Sequence, residues 1–198
     1  VHVAPAAELL NEASQRFRRR EAFSIEFEPA NSTARISKAA AASAWQNRRF
    51  VRSYRPRTRI VLAGRGPDFE VVARVAAAAE YDLVLATPDE TSMAALADLD
   101  IPLERLKSPG YHVDLPIDEW TATVLLFHEH EWENAILARA TAANGFYVGA
   151  LGSTRTHAQR RERLAAMGVP YEQIERIHGP IGLIARAHEP GTLALSVL

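Results

Sequence analysis

Apolar positions change period three times along this chain. Leu9, Leu10, Ala13 and Phe17 recur at helical spacing among polar neighbours, which predicts a helix over residues 5–20. Phe23, Ile25 and Phe27 then alternate with Ser24, Glu26 and Glu28, a strand signature. Pro29, Asn31 and Ser32 punctuate it, and residues 33–37 predict a short second strand. An alanine-rich stretch over 39–45 leads into Arg48, Arg49, Arg52, Arg55, Arg57 and Arg59, with Phe50 and Tyr54 between them. This basic run reads as a solvated linker; the alternative is a surface for an anionic ligand or an acidic partner.

Beyond residue 58 the pattern becomes β–α–β. The short apolar run 59–63 predicts a buried strand, 69–79 a helix and 82–86 a second strand. Residues 90–97 predict a short helix. Pro102, Pro109, Gly110 and Pro116 make 98–119 mostly loop, with one short strand near 103–106. Strands over 121–127 and 146–149 alternate with helices over 131–143 and 153–167, the last closed by Gly168 and Pro170. A final helix covers 190–198. Alternation of this kind predicts an α/β fold: a Rossmann-like parallel sheet with helices on both faces, for which 3-2-1-4-5 is taken as the working strand order. A small α+β segment with a basic linker, residues 1–56, precedes it, and the Rossmann-like domain occupies 57–198.

Composition narrows the function classes. The 198 residues are 47% hydrophobic and 24% charged, with a net charge of -1. That balance argues against nucleic acid as a main partner, because non-specific binding needs clustered excess cation. No apolar run approaches the ~18 residues of a membrane span. The absence of cysteine excludes disulfides, thiolate metal sites and a cysteine nucleophile in this chain. The first ten residues lack the charged and apolar regions of a signal peptide, so a cytoplasmic location is expected. The chain starts at Val1 rather than Met, so either end can be a trimmed one.

Four loops could carry chemistry. The first, Gly64-Arg65-Gly66-Pro67-Asp68-Phe69, joins a strand to a helix, where glycines let a phosphate approach the free N–H groups. Phe69 stands where a dinucleotide fingerprint has its third glycine, and Thr87 stands where an acidic residue would hold a ribose. The second is Gly149-Ala150-Leu151-Gly152-Ser153-Thr154-Arg155-Thr156-His157. Ser153 suits an N-cap. Arg155 falls in the first helical turn, where a cation opposes the helix dipole by ~0.3–1 kcal/mol unless an anion binds there. Thr156, Arg160 and Arg163 follow on one face.

The third loop, His128-Glu129-His130-Glu131-Trp132-Glu133, offers two histidines at i, i+2 with Glu133 as a third metal ligand; the alternative is a loop that caps the next helix with negative charge. In the fourth, Ile177-His178-Gly179-Pro180-Ile181-Gly182, His178 is either ligand-facing or a hydrogen-bonded core residue. The expected strand order brings the first three loops to one edge of the sheet, near the switch point where open α/β sheets bind ligands.

Three segments resemble a known family. Phe127-His128-Glu129-His130-Glu131, the run from Phe146 to His157, and Arg176-Ile177-His178-Gly179-Pro180-Ile181-Gly182-Leu183 closely resemble the C-terminal Rossmann domain of the XdhC/CoxF family over roughly residues 57–198. The resemblance implies a maturation factor for xanthine dehydrogenase, carbon monoxide dehydrogenase and related molybdenum hydroxylases. Such a chaperone would bind molybdenum cofactor, as molybdopterin or its cytosine dinucleotide form, while a cysteine desulfurase supplies sulfur. It would then deliver the cofactor to the apo-hydroxylase. On this reading Gly64, Gly66, His128, His130, Gly149, Gly152, Ser153, Arg155, Thr156, His157, His178 and Gly179 contact the cofactor, and none is catalytic.

The chain departs from the family at Thr87 and Thr154, where the family has an acidic residue and often an arginine, and at Glu129, where it has aspartate. It also lacks cysteine, so its part in sulfuration would be passive. The alternatives are an NAD(P)-binding oxidoreductase, with Thr87 compatible with NADP, a metal-dependent hydrolase built on His128 and His130, and a scaffold that has lost its ligand. A homodimer is expected only from the frequency of symmetric oligomers.

Overall fold

A computed structural model describes residues 6–39, 42–111, 114–184, 187 and 189–198. Pro5, in the predicted first helix, and Ala40 and Ala41, in the alanine-rich stretch, lie outside these. The chain divides into two compact units, Val1–Arg57 and Thr58–Leu198.

In the first unit α1 (Ala7–Arg18) precedes β1 (Phe23–Glu28), β2 (Thr33–Lys38), β3 (Ala44–Gln46) and β4 (Arg49–Tyr54). The strands form an antiparallel sheet in the order β2-β1-β4-β3. Phe23, Ile25 and Val51 are its buried apolar residues. The run read as a basic linker is therefore largely a strand. Within it Arg49 is balanced across the sheet, 3.9 Å from Glu26 and 3.5 Å from Glu28, and Glu26 also takes Arg35 of β2 at 2.6 Å. Phe50, Val51 and Tyr54 can form a strand among arginines when the neighbouring strand supplies carboxylates.

The second unit contains β5 (Arg59–Gly64), α2 (Gly66–Ala78), β6 (Asp82–Thr87), α3 (Glu90–Leu96), β7 (Leu103–Arg105), β8 (Thr121–Leu126), α4 (Glu133–Ala142), β9 (Tyr147–Ala150), α5 (Thr154–Ala166), α6 (Tyr171–Ile174), β10 (Ile177–His178) and α7 (Pro190–Val197). The six strands run in the order β10-β9-β8-β5-β6-β7. Every neighbouring pair is parallel. This is the expected 3-2-1-4-5 order with β10 added beside β9. The switch point falls between β5 and β8.

Strands covered on both faces read as continuous apolar runs, which is why β5 and β8 were legible. Successive side chains along β5 point to opposite faces. Val61 and Ala63 enter one core with Leu125, Phe127, Ile136, Leu137 and Leu164; Ile60 and Leu62 enter the other with Leu126, Phe69, Val72 and Ala194. Phe69, Val72, Ala73 and Ala76 form the buried stripe of α2 at helical spacing. Gly64 ends β5 where a Cβ would stand 2.7 Å from the Leu126 carbonyl oxygen, so only glycine lets β5 and β8 approach this closely.

Candidate functional site

The carboxyl ends of β5, β8, β9 and β10 present the four loops. The first loop is largely occupied by the protein itself. The Gly66 N–H donates to Ser92 Oγ at 2.9 Å, and Pro67 has no N–H to offer. The Ser92 hydroxyl lies 2.8 Å from both Glu70 Oε1 and Asp89 Oδ2, and donates to one at a time. Arg65 pairs with Glu129 of the third loop, and His128 Nε2 lies 3.5 Å from Asp68 Oδ2. Acidic groups thus line this turn, where an ordinary dinucleotide site would hold pyrophosphate.

The second loop continues from the sheet. Leu151 donates its N–H to the Leu125 carbonyl at 2.8 Å, so the turn starts from a fixed point. Gly152 then takes φ 145°, a conformation essentially restricted to glycine. Ser153 caps α5 by accepting the Thr156 N–H at 3.1 Å, and its hydroxyl lies 3.0 Å from Thr156 Oγ1. The N–H groups of Thr154 and Arg155 belong to the first turn, which has no intrahelical acceptors. Gly152, Ser153, Thr154 and Arg155 are exposed. Among the described residues no hydrogen bond or ion pair holds the Arg155 guanidinium. An uncommitted cation beside free N–H groups at a helix start can receive an anion.

Beneath this loop lies a buried ion pair that sequence reasoning missed. Arg160 and Glu133 are both fully buried, with Nε–Oε2 at 2.9 Å and Nη2–Oε1 at 3.0 Å. Arg160 Nη2 also donates to the Leu151 carbonyl at 2.6 Å. Arg160, expected on one face with Thr156 and Arg163, instead turns inward: with Leu164 it forms the buried stripe of α5. Glu133, weighed as a third metal ligand, is committed to this guanidinium. The available signal was spacing alone, since Arg160 and Leu164 are four residues apart on one helix face.

His157 joins the second loop to the fourth. Its ring rests against Gly179, where any Cβ would collide with it. Burial, then the charges of Arg160 and Arg161, push its imidazole below the ordinary value of 6.5. Arg176 anchors the fourth loop by donating to the Thr141, Ala143 (2.8 Å) and Gly145 (2.7 Å) carbonyls around the end of α4. His178 turns elsewhere. Its ring stacks on Tyr147 at 4.8 Å and lines a groove of about 610 Å³ with Ile60, Val124 and Phe146. Gly149 pairs with His178 across β9 and β10, and a Cβ there would meet Ile181 at 2.6 Å.

In the third loop His130 Nδ1 lies 3.5 Å from Glu133 Oε2 without hydrogen-bond geometry. Glu129 Oε2, His130 Nδ1 and Asn134 Oδ1 are buried with no hydrogen-bond partner among the described residues. Buried polar atoms normally have partners, so these are candidates for ligand contact. No cluster of three or more metal-binding side chains occurs among the described residues. No helix there is long and apolar enough to cross a membrane.

Over its whole length the chain is 29% identical to the molybdenum cofactor insertion chaperone PaoD of Escherichia coli strain K12, and it spans 56% of that protein. A crystal structure described as a xanthine dehydrogenase from Bacillus halodurans superposes with a TM-score of 0.67 at 18% identity. That match covers 96% of this chain and 61% of the other, and it shows a shared fold. Residues 60–198 match the XdhC Rossmann domain, and the chain belongs to that family.

Proposed function

We propose that this protein is a molybdenum-cofactor-binding maturation chaperone, which holds the cofactor and delivers it to a molybdenum hydroxylase such as xanthine dehydrogenase. The observation that carries the reading is the start of α5. Gly152, Ser153, Arg155 and Thr156 form an exposed anion-receiving turn, buttressed from below by the buried Glu133–Arg160 pair. The phosphate of molybdopterin suits the Thr154 and Arg155 N–H groups and the Arg155 guanidinium. The partnerless atoms of Glu129, His130 and Asn134 suit a ligand with its own donors and acceptors. His157 and Gly179 shape the turn from the other side. Gly64 and Gly66 contribute backbone shape, Gly149 the close packing of β9, and His128 and His178 the flanks.

The cofactor supplies molybdenum chemistry to the enzyme that receives it; this chain binds, orients and shields. With no cysteine this chain carries no persulfide, so a separate cysteine desulfurase is the expected sulfur source. A cytoplasmic location and a homodimer are further parts of the proposal. The NAD(P)-dependent reading is less well supported, because Ser92 occupies the Gly66 N–H; Thr87 in place of the ribose-binding acid counts further against the NAD form alone.

Anaerobic co-elution of cofactor with the purified protein, read by fluorescence of the oxidised pterin, tests this. Stoichiometric pterin retained in the presence of NAD and NADP is the expected result. Nucleotide binding without pterin overturns it.

A further inference from the structure

The basic run over residues 48–59 plays no part in the proposed cofactor site. The register of the first unit's sheet shows where part of it goes. Side chains opposite one another across paired strands share a face, and so do alternate residues along a strand. Phe27 pairs with Ala34 and Phe50, and Phe50 pairs with Trp45. On the same face Ile25 pairs with Ile36 and Arg52, and Phe23 with Lys38 and Tyr54. Ring centroids lie 5.5 Å apart for Trp45 and Phe50, 6.4 Å for Phe27 and Phe50, and 5.0 Å for Phe23 and Tyr54. Phe23 and Ile25 are buried, whereas Trp45, on the edge strand β3, is 66% exposed. An apolar face thus runs from a buried end to an open one.

The two faces carry different charge. Glu26 and Glu28 alternate to the opposite face, where Arg35 and Arg49 take their carboxylates. The apolar face has no carboxylate among its paired residues, and its cations are Arg52 and Lys38. Arg52 is exposed and lies 5.7 Å over the Tyr54 ring. Among the described residues no hydrogen bond or ion pair holds Arg52 or Lys38. The same excess marks the whole unit. Residues 1–57 hold eleven lysines and arginines against five acidic residues, and residues 58–198 hold twelve against nineteen.

Trp, Tyr and Arg are the side chains that dominate protein–protein hot spots, and uncompensated charge beside them selects a partner of opposite sign. Four strands about 4.8 Å apart and up to six residues long span roughly 20 by 20 Å, and one end of that area is buried. Stable interfaces between globular proteins bury about 800 Å² a side, so the open end suits one short segment instead. A nucleic-acid backbone needs a stripe of cations, and this face has two. We propose that the open end of this face, Trp45 and Phe50 with Arg52, docks a short acidic peptide segment of a partner protein. Apolar side chains of the segment lie on the two rings, and a carboxylate meets the Arg52 guanidinium. Neither the surface nor its charge depends on cofactor binding.

A random linear peptide library displayed on phage and panned against the full chain at low salt tests this. Enriched sequences are expected to combine Asp or Glu with aromatic or aliphatic residues. The most enriched one, labelled and followed by fluorescence anisotropy, is expected to bind one-to-one and to weaken with salt. Trp45→Ala and Arg52→Glu each weaken it by roughly tenfold or more, the scale of an interface hot spot. Both side chains are exposed, and an unchanged thermal midpoint shows that each variant folds. Arg35→Ala removes a cation from the opposite face and leaves the affinity unchanged. No enrichment, enriched sequences without acidic residues, wild-type affinity in Trp45→Ala or Arg52→Glu, or an equal loss in Arg35→Ala each overturns the proposal. Binding of an oligouridylate RNA more tightly than the peptide, lost in Trp45→Ala, assigns the face to nucleic acid and overturns it too. So does a dimer in sedimentation that Trp45→Ala dissolves, which assigns the face to a second copy of this chain.

Discussion

Arg160 and Glu133 meet through two hydrogen bonds of 2.9 and 3.0 Å in a place that water does not reach. The pair ties the start of α4 to the middle of α5. Through the Leu151 carbonyl it also fixes the turn that precedes the proposed anion site.

Removing one partner strands the other. Glu133→Leu leaves a buried guanidinium and is expected to cost about 3–5 kcal/mol. Glu133→Leu with Arg160→Met removes both charges, and its cost is expected to fall well below the sum of the single losses, since only the Leu151 carbonyl is left without its donor. Urea unfolding of the singles and the double checks this. Additive losses would mean that the two side chains stabilise the fold independently.

Gly64→Ala places a methyl 2.7 Å from the Leu126 carbonyl oxygen, between two central strands. Backbone cannot give way as a flexible side chain can. A loss of about 1–3 kcal/mol is expected. A thermal midpoint equal to that of the wild type would show that β5 and β8 are not held this closely.

His157 predicts a pH dependence. Its folded-state value lies below 6.5, so the unfolded chain binds a proton first as pH falls. Its contribution to stability is complete above that value and is lost as pH drops through the folded one. Compared at pH 7.5, 6.5 and 5.5, the wild type is expected to lose more stability on acidification than His157→Gln. Parallel losses would place the imidazole in a water-like setting.

The central sheet was legible because its strands are apolar on both faces. Alternation of strands and helices marked the sheet as parallel; its order was supposed from the Rossmann pattern and not read from the residues. Other features depend on contacts between distant parts of the chain. β10 is only Ile177–His178, too short for a periodic signal, and α6 is a single turn. β4 read as linker because Arg-Phe-Val-Arg-Ser-Tyr carries no clean alternation, and the carboxylates that balance Arg49 lie on β1. The first three loops were expected at strand ends, and β5, β8 and β9 end there; the strand that carries the fourth was not foreseen. Their state was not visible: nothing near Gly66 announces that Ser92 takes its N–H, and the partners Glu133 and Arg160 are 27 residues apart.

Arg155 carries the most direct test, because it is exposed and holds no partner among the described residues. The measurement is the anaerobic affinity of the purified protein for molybdenum cofactor, wild type against Arg155→Ala, with thermal midpoints taken in parallel. The account predicts an unchanged midpoint and an affinity lowered by roughly tenfold, the scale of one charge-assisted contact to phosphate. Equal affinities would contradict it and remove the start of α5 as the anion site.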